Sequence, residues 1–199
     1  MIDKRKEGIV MIRAATVQDA KSLLEIYGYY VNNTAITYEY EVPSVADFQR
    51  RIEQTLTQYP YLVWEENGHI LGYAYAGRFH PRKAFDWAAE ASVYVHKDAR
   101  GRGIGPKLYE VLEKCLRKQG YVNLNVSIAY PQTEDAYLTK NSVQFHTHMG
   151  YTLCAHFHNC AYKFGRWYDL VWMEKYLCDI PKNPQPPKTF DAVRGVLGL

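Results

Sequence analysis

Apolar positions recur every three or four residues from Val17 to Asn33: Ala20, Leu23, Leu24, Tyr27 and Val31 fall on one helical face. Thr16 stands where a helix cap is needed, and Asn32-Asn33 closes the segment. The pattern repeats after Ser44, where Phe48, Ile52 and Leu56 mark a second helix that Pro60 stops. Residues 35–42, "AITYEYEV", carry neither period and read as a loop or extended piece. From Tyr61 the period changes. Two extended runs flank Glu66-Asn67-Gly68, and Asn-Gly between such runs predicts a hairpin. "AAEASVYVHK" reads as another strand. Leu108, Val111, Leu112, Cys115 and Leu116 then form the apolar face of a helix, with Gly120 just past its end. Val122, Leu124, Val126 and Ile128 alternate strictly, as in a strand with one buried face. A polar loop, a short helix ending at Gly150 and two long extended runs around Gly165 complete the pattern. Strands and helices mixed in this order predict a single α/β (mixed α+β) domain.

Composition narrows the class. The chain has 199 residues, 47% hydrophobic and 23% charged, which suits one domain that buries about 70% of its unfolded surface without staples. The net charge of +3, from 24 basic and 21 acidic residues, lacks the strong basic stripe of a nucleic-acid binder. Cys115, Cys154, Cys160 and Cys178 show no CxxC spacing, so free thiols in a reducing compartment are expected. The first residues contain no apolar signal region and no run reaches a membrane span. The expectation is a soluble, cytoplasmic protein without a membrane partner. Residues 1–10 read as an extension, 11–177 as the domain and 178–199, rich in proline, as a semi-rigid tail.

One segment invites chemistry. "RGRGIG", residues 100–105, joins the strand ending at Val95 to the helix after Pro106. Glycine-rich turns leave successive N–H groups free to converge on an anion, and the following helix adds its unpaired donors and dipole. Arg100 and Arg102 can add charge-assisted bonds. Residues Arg100, Gly101, Arg102, Gly103, Ile104 and Gly105 thus form a candidate pyrophosphate cradle. The phosphate loop of nucleotide hydrolases requires Gly-Lys-Ser/Thr, whereas Gly105 is followed by Pro106-Lys107-Leu108. The dinucleotide fingerprint requires an acidic residue at the end of the next strand, and "YVNLNVSI" has none.

Arg100, Gly103 and Gly105 fit the acyl-CoA pyrophosphate motif Gln/Arg-x-x-Gly-x-Gly/Ala, and here the sequence resembles the GNAT N-acetyltransferase superfamily. "YVNNTAITYEYE", "EASVYVHKDARGRGIG", "FHTHMGY" and "KFGRWYDLVWMEK", in that order, resemble its phosphinothricin/methionine sulfoximine acetyltransferase branch from about Met11 to Tyr176. The resemblance implies a twisted, mostly antiparallel sheet flanked by helices and splayed at an acetyl-CoA site. It implies acetyl-CoA as co-substrate with no metal, a small amine as acceptor, and a homodimer. It places the pantetheine arm along Val93, Tyr94 and Val95, with a backbone N–H near Val93 polarising the acetyl carbonyl. It also implies a CoA contact ahead of the last helix; the family's Asn falls on Thr139, with Asn141 and Ser142 just after.

Acetyl transfer to an ammonium of ordinary pKa first requires its deprotonation. Glu90 is the candidate base, since a carboxylate within the apolar run "AAEASVYV" is costly to bury without a purpose. The resemblance implies the same role; the other reading is a solvent-facing strand glutamate. His146, four residues before Gly150, matches the position of the family's acid for the departing thiolate; the other reading is packing against the coenzyme or capping a local network. The family's Trp-Arg-Pro before the catalytic strand is replaced by "RFHP", so Arg78 or Arg82 is the expected carboxylate anchor beside His80, while Asp86 stands where an Arg is common. Tyr38, Phe85 and Trp87 are candidate aromatic walls. A protein N-terminus or lysine as acceptor, and an acyl-CoA-binding module without turnover, are the rival functions. Cys154, His156, His158 and Cys160 alternate as metal ligands would, yet on a regular strand the outer pair lies about 20 Å apart, so an interface or pocket wall is preferred to zinc.

Overall fold

The computed structural model describes residues 9–199; most of the expected N-terminal extension lies outside them. Seven strands form one sheet in the order β1-β2-β3-β4-β5-β7-β6. They are β1 Val10–Ala14, β2 Tyr61–Glu66, β3 His69–Arg78, β4 Ala88–Val95, β5 Asn123–Tyr130, β6 Thr152–Lys163 and β7 Arg166–Tyr176. Every neighbouring pair is antiparallel except β4 and β5. That exception follows from connectivity: the helix between them carries the chain back to the sheet's starting edge, the crossover a parallel pair needs.

Helices α1 (Ala20–Asn33) and α2 (Val45–Leu56) cover one face; α3 (Ile104–Gln119) and α4 (Asn141–His148) lie on the other. The expected first helix begins later than its period suggests. Val17–Asp19 is a 3-10 turn, because the Asp19 carboxylate accepts the Thr16 N–H at 2.7 Å and tightens the entry. Ser44 caps α2 as expected, its Oγ accepting the Asp47 N–H at 3.1 Å. Asn67 and Gly68, at φ 53° and 79°, make the hairpin turn between β2 and β3. Under α3 the core gathers Leu62, Ala74, Ala91, Leu108, Leu112, Leu116, Leu124 and Val126; under α1 and α2 it is tyrosine-rich, with Tyr27, Tyr61 and Tyr73. Gly72 lets α3 approach the sheet, since a Cβ there would lie 3.0 Å from Ile104 and 3.1 Å from the Tyr94 carbonyl.

Residues 178–199 fold back onto the domain. Helix α5 (Asp191–Arg194) follows Phe190, which is fully buried in the core under α3. The Trp87 indole donates to the Gln185 carbonyl at 2.9 Å, and the Gln119 amide donates to the carbonyls of Gln58 and Lys188 at 2.7 and 2.8 Å. A buried lysine joins the other face to the sheet. Lys163 of β6 donates to the carbonyls of Val31, Thr34 and Thr37 at 2.8–3.0 Å, capping α1 and holding the segment that carries Tyr38. All four cysteines are free thiols. No helix among the described residues is long and apolar enough to cross a membrane.

Candidate active site

Strands β4 and β5 pair only over Ala88–Glu90 with Asn123–Asn125 and diverge beyond. Peptide groups of Ala91–Val95 that point away from β3 therefore have no strand partner. Ala91, Ser92, Val93 and Tyr94 line one wall of the resulting cleft, and Val126, Ser127, Ile128 and Ala129 the other. Ile36, Tyr109, Leu138, Ser142 and His146 complete the lining.

Beyond the open end of β4 lies the glycine turn. Gly101 and Gly103 sit at φ 75° and 78°, where a side chain is strained, and a Cβ at either would meet nothing within 4 Å. Among the described residues, the N–H groups from Gly101 to Gly105 have no backbone acceptor. Open space, converging donors and a helix N-terminus together fit a pyrophosphate. The arginines are less free than their sequence suggests. Arg102 binds both oxygens of Glu66 at 2.8 and 2.6 Å, and Arg100 stacks on Tyr29 and Tyr30 at 5.5 and 5.1 Å from the ring centres. Of the three expected coenzyme contacts around the start of α4, Ser142 in its first turn lines the cleft, while Thr139 and Asn141 are solvent-exposed. Val95 ends β4, its carbonyl accepting from the Tyr30 hydroxyl at 2.6 Å.

Glu90 closes the paired part of β4, next to the first cleft residue. Ala89 and Ala91 face the core under α3, so alternation turns Glu90 to the opposite face. Its partner across β3 is Gly77, where a Cβ would meet nothing within 4 Å, leaving room beside the carboxylate. Burial alone raises the Glu90 pKa above its ordinary value. The carboxylate is half-buried rather than fully solvated.

His146 is 4% exposed, and burial lowers its pKa to about 4, outweighing the hydrogen bond to Ser142. Its Nδ1–H donates to the Ser142 carbonyl at 2.7 Å, so the neutral ring's Nε2 accepts the Tyr109 hydroxyl at 3.0 Å. In this state His146 presents no proton toward the cleft. Tyr109, which the sequence reading passed over, also lines the cleft, its O–H donated to His146 in this state. Its signal was a polar-tipped aromatic on the otherwise aliphatic inner face of α3.

The expected acceptor-binding residues separate. Tyr38 stands beside the cleft, packed with Ala35, Ala129, Leu138 and Tyr168, its hydroxyl donating to the Asp169 carbonyl at 2.7 Å. His80 and Phe85 pack together at 4.6 Å and, through Phe79, reach Trp172 of β7. Arg78 is placed elsewhere: it pairs with Asp86 at 3.0 Å and lines a cavity of about 450 Å³ with Gln58, Tyr121 and Pro187. The acidic residue where the family has an arginine has captured it, and it is absent from the cleft lining.

Residues 12–172 match the family model described as the acetyltransferase (GNAT) domain. The phosphinothricin N-acetyltransferase of Streptomyces viridochromogenes is 30% identical over 181 residues, covering 90% of this chain and 95% of that protein. The L-methionine sulfoximine/L-methionine sulfone acetyltransferase of Salmonella typhimurium is 34% identical over 170 residues, covering 83% and 94%. A phosphinothricin acetyltransferase from Sinorhizobium meliloti, solved in complex with acetyl-CoA, is 29% identical with a TM-score of 0.79, covering 91% of this chain and 98% of that one. With its splayed parallel strands and glycine turn, the chain belongs to the GNAT family of N-acetyltransferases.

Proposed function

We propose that this enzyme moves an acetyl group from acetyl-CoA to the primary amine of a small amino-acid-like substrate of the phosphinothricin or methionine sulfoximine type. The observation that carries the reading is the order of three features: Glu90 where β4 and β5 part, a cleft walled by the free edge of β4, and unpaired donors at 101–105 beyond its open end. Acetyl-CoA supplies an activated thioester, and the N–H groups of Gly101 to Gly105 are placed to hold its pyrophosphate. The free edge of β4 near Val93 can then donate to the acetyl carbonyl, stabilising the oxyanion as fixed donors do. Glu90 takes the proton of the incoming amine, directly or through a water, on the face where Gly77 leaves room. Tyr109 can turn its O–H toward the departing sulfur and stabilise the thiolate. His146, neutral and anchored on Ser142, serves in this reading as a positioning residue for Tyr109 rather than as the acid.

Thiol release from acetyl-CoA, followed over a panel of amines, tests the proposal. The panel holds phosphinothricin, methionine sulfoximine, methionine sulfone, the common amino acids and an N-terminal peptide. Saturable turnover of a free amino-acid-like amine is expected. Turnover confined to the peptide, or none at all, would remove the reading.

The cradle makes a separate prediction. Gly103→Val puts a β-branched side chain at φ 78° and fills the space where the anion would sit. Loss of even one charge-assisted bond raises KM for acetyl-CoA roughly tenfold or more, with the amine KM unchanged. Equal initial-rate constants for variant and parent would show that the turn does not hold the coenzyme.

A further inference from the structure

We infer that His156, His158 and Asp169 form a binding site for a divalent transition ion of the zinc class, on β6 and β7. A regular strand cannot gather Cys154 and Cys160 on one ion, which is why spacing alone argued against a metal. The structure builds a different set. Strand β6 is irregular: Phe157 pairs with Leu170, but the next paired residue is Ala161, with Tyr168, so residues 158–160 stand against Asp169 alone. Asn159 turns this bulge at φ 47°. The imidazoles of His156 and His158 are thereby brought to 4.1 Å between centroids, both facing the Asp169 carboxylate.

The donor geometry is close to what an ion requires. His156 Nε2 lies 2.8 Å and His158 Nδ1 3.3 Å from Asp169 Oδ2, and the candidate ligand atoms all fall within 4.8 Å of one another. Ligands about 2.0–2.2 Å from a tetrahedral ion stand roughly 3.3 Å apart, so ring shifts of about an ångström would close the set. His158, with a side chain 68% exposed, is free to make them. Asp169 is 1% exposed and fixed: its Oδ1 accepts the Asn159 N–H at 2.8 Å and the Gln132 amide at 3.2 Å. Such outer hydrogen bonds orient a ligating carboxylate.

Charge favours the same conclusion. A dication satisfies the carboxylate and both ring nitrogens, and solvent can supply the remaining positions. Two imidazoles with one carboxylate suit zinc, cobalt or nickel better than magnesium or calcium.

The test uses the tag-free full chain. Zinc is titrated by calorimetry, and cobalt by its visible absorption, into the parent protein, His158→Ala and the double variant Cys154→Ser/Cys160→Ser. The expected result is one ion per chain, cobalt bands without a thiolate charge-transfer band, and affinity lowered roughly tenfold or more in His158→Ala. Metal-free melting of that variant should match the parent, because the lost side chain is largely exposed. The cysteine variant should bind as the parent does. Absence of saturable binding in the parent, affinity untouched by His158→Ala, or loss of binding only in the cysteine variant would overturn the inference.

Discussion

Replacing Glu90 by Gln lowers turnover roughly 10²–10⁴-fold while leaving acetyl-CoA affinity unchanged. The substitution keeps the size of the side chain and removes only its ability to take a proton. The turn at 101–105, proposed to hold the coenzyme, lies beyond the far end of β4. The pH profile carries a second signature. Burial raises the Glu90 pKa above the ordinary value of 4.5. As the proposed base, Glu90 works only when ionised, so kcat/KM in the parent should fall as pH drops through that raised pKa, above the range of a solvated carboxylate. The variant should lose this acid limb and retain only the dependence that comes from the amine's own ionisation. Initial rates over the acetyl-CoA and amine concentration grid, from acid to mildly basic pH, separate the terms. A variant as fast as the parent would exclude Glu90 from the chemistry. A variant that fails to bind acetyl-CoA would show that the side chain supports the cleft instead.

Phe190→Ala should destabilise the fold by about 3–5 kcal/mol, the usual cost of emptying a fully buried aromatic position. Phe190 is 0% exposed and belongs to the core that holds Leu108, Leu112 and Leu116 of α3. Its N–H donates to the Gln58 carbonyl at 3.1 Å, tying the C-terminal segment to the end of α2. For a chain of this size the loss corresponds to a fall in Tm of roughly 6–20 °C. Urea unfolding with constant slope gives the free energy directly. Truncation after Leu177 should cost at least as much, since it also strips the partners of Gln119 and Trp87. A truncated chain that melts with the parent would mean that the segment is an ornament on a complete core.

These two residues mark how far the sequence can be read. Glu90 could be singled out as a candidate because its signal is local: one carboxylate in an otherwise apolar run. Phe190 could not. It sits in a proline-rich stretch whose composition describes a spacer, and its burial depends on the core under α3 and on backbone bonds of its segment to Gln58 and Gln119, none of them near it in sequence. His146 lies between these cases. Its position next to the cleft could be read from order along the chain, but its protonation could not. The Ser142 carbonyl and the Tyr109 hydroxyl fix its tautomer, and burial keeps it neutral. The pairing of Arg78 was hidden for a similar reason, since nothing in "GRFHP" reveals that Asp86 folds back onto it.

What the chain determines by itself are the elements and their punctuation. Helical and strand periods, the Asn67-Gly68 turn and the glycines at 101 and 103 depend on backbone sterics and on side chains a few residues apart. Those forces act within a segment whatever the rest does. The tertiary structure decided which segments meet: where β4 and β5 part, which pocket Arg78 faces, where residues 178–199 dock, and that a bulge in β6 sets two histidines over Asp169. Each of these depends on packing between residues far apart in sequence, where burial, register and desolvation set the outcome and no local pattern records it.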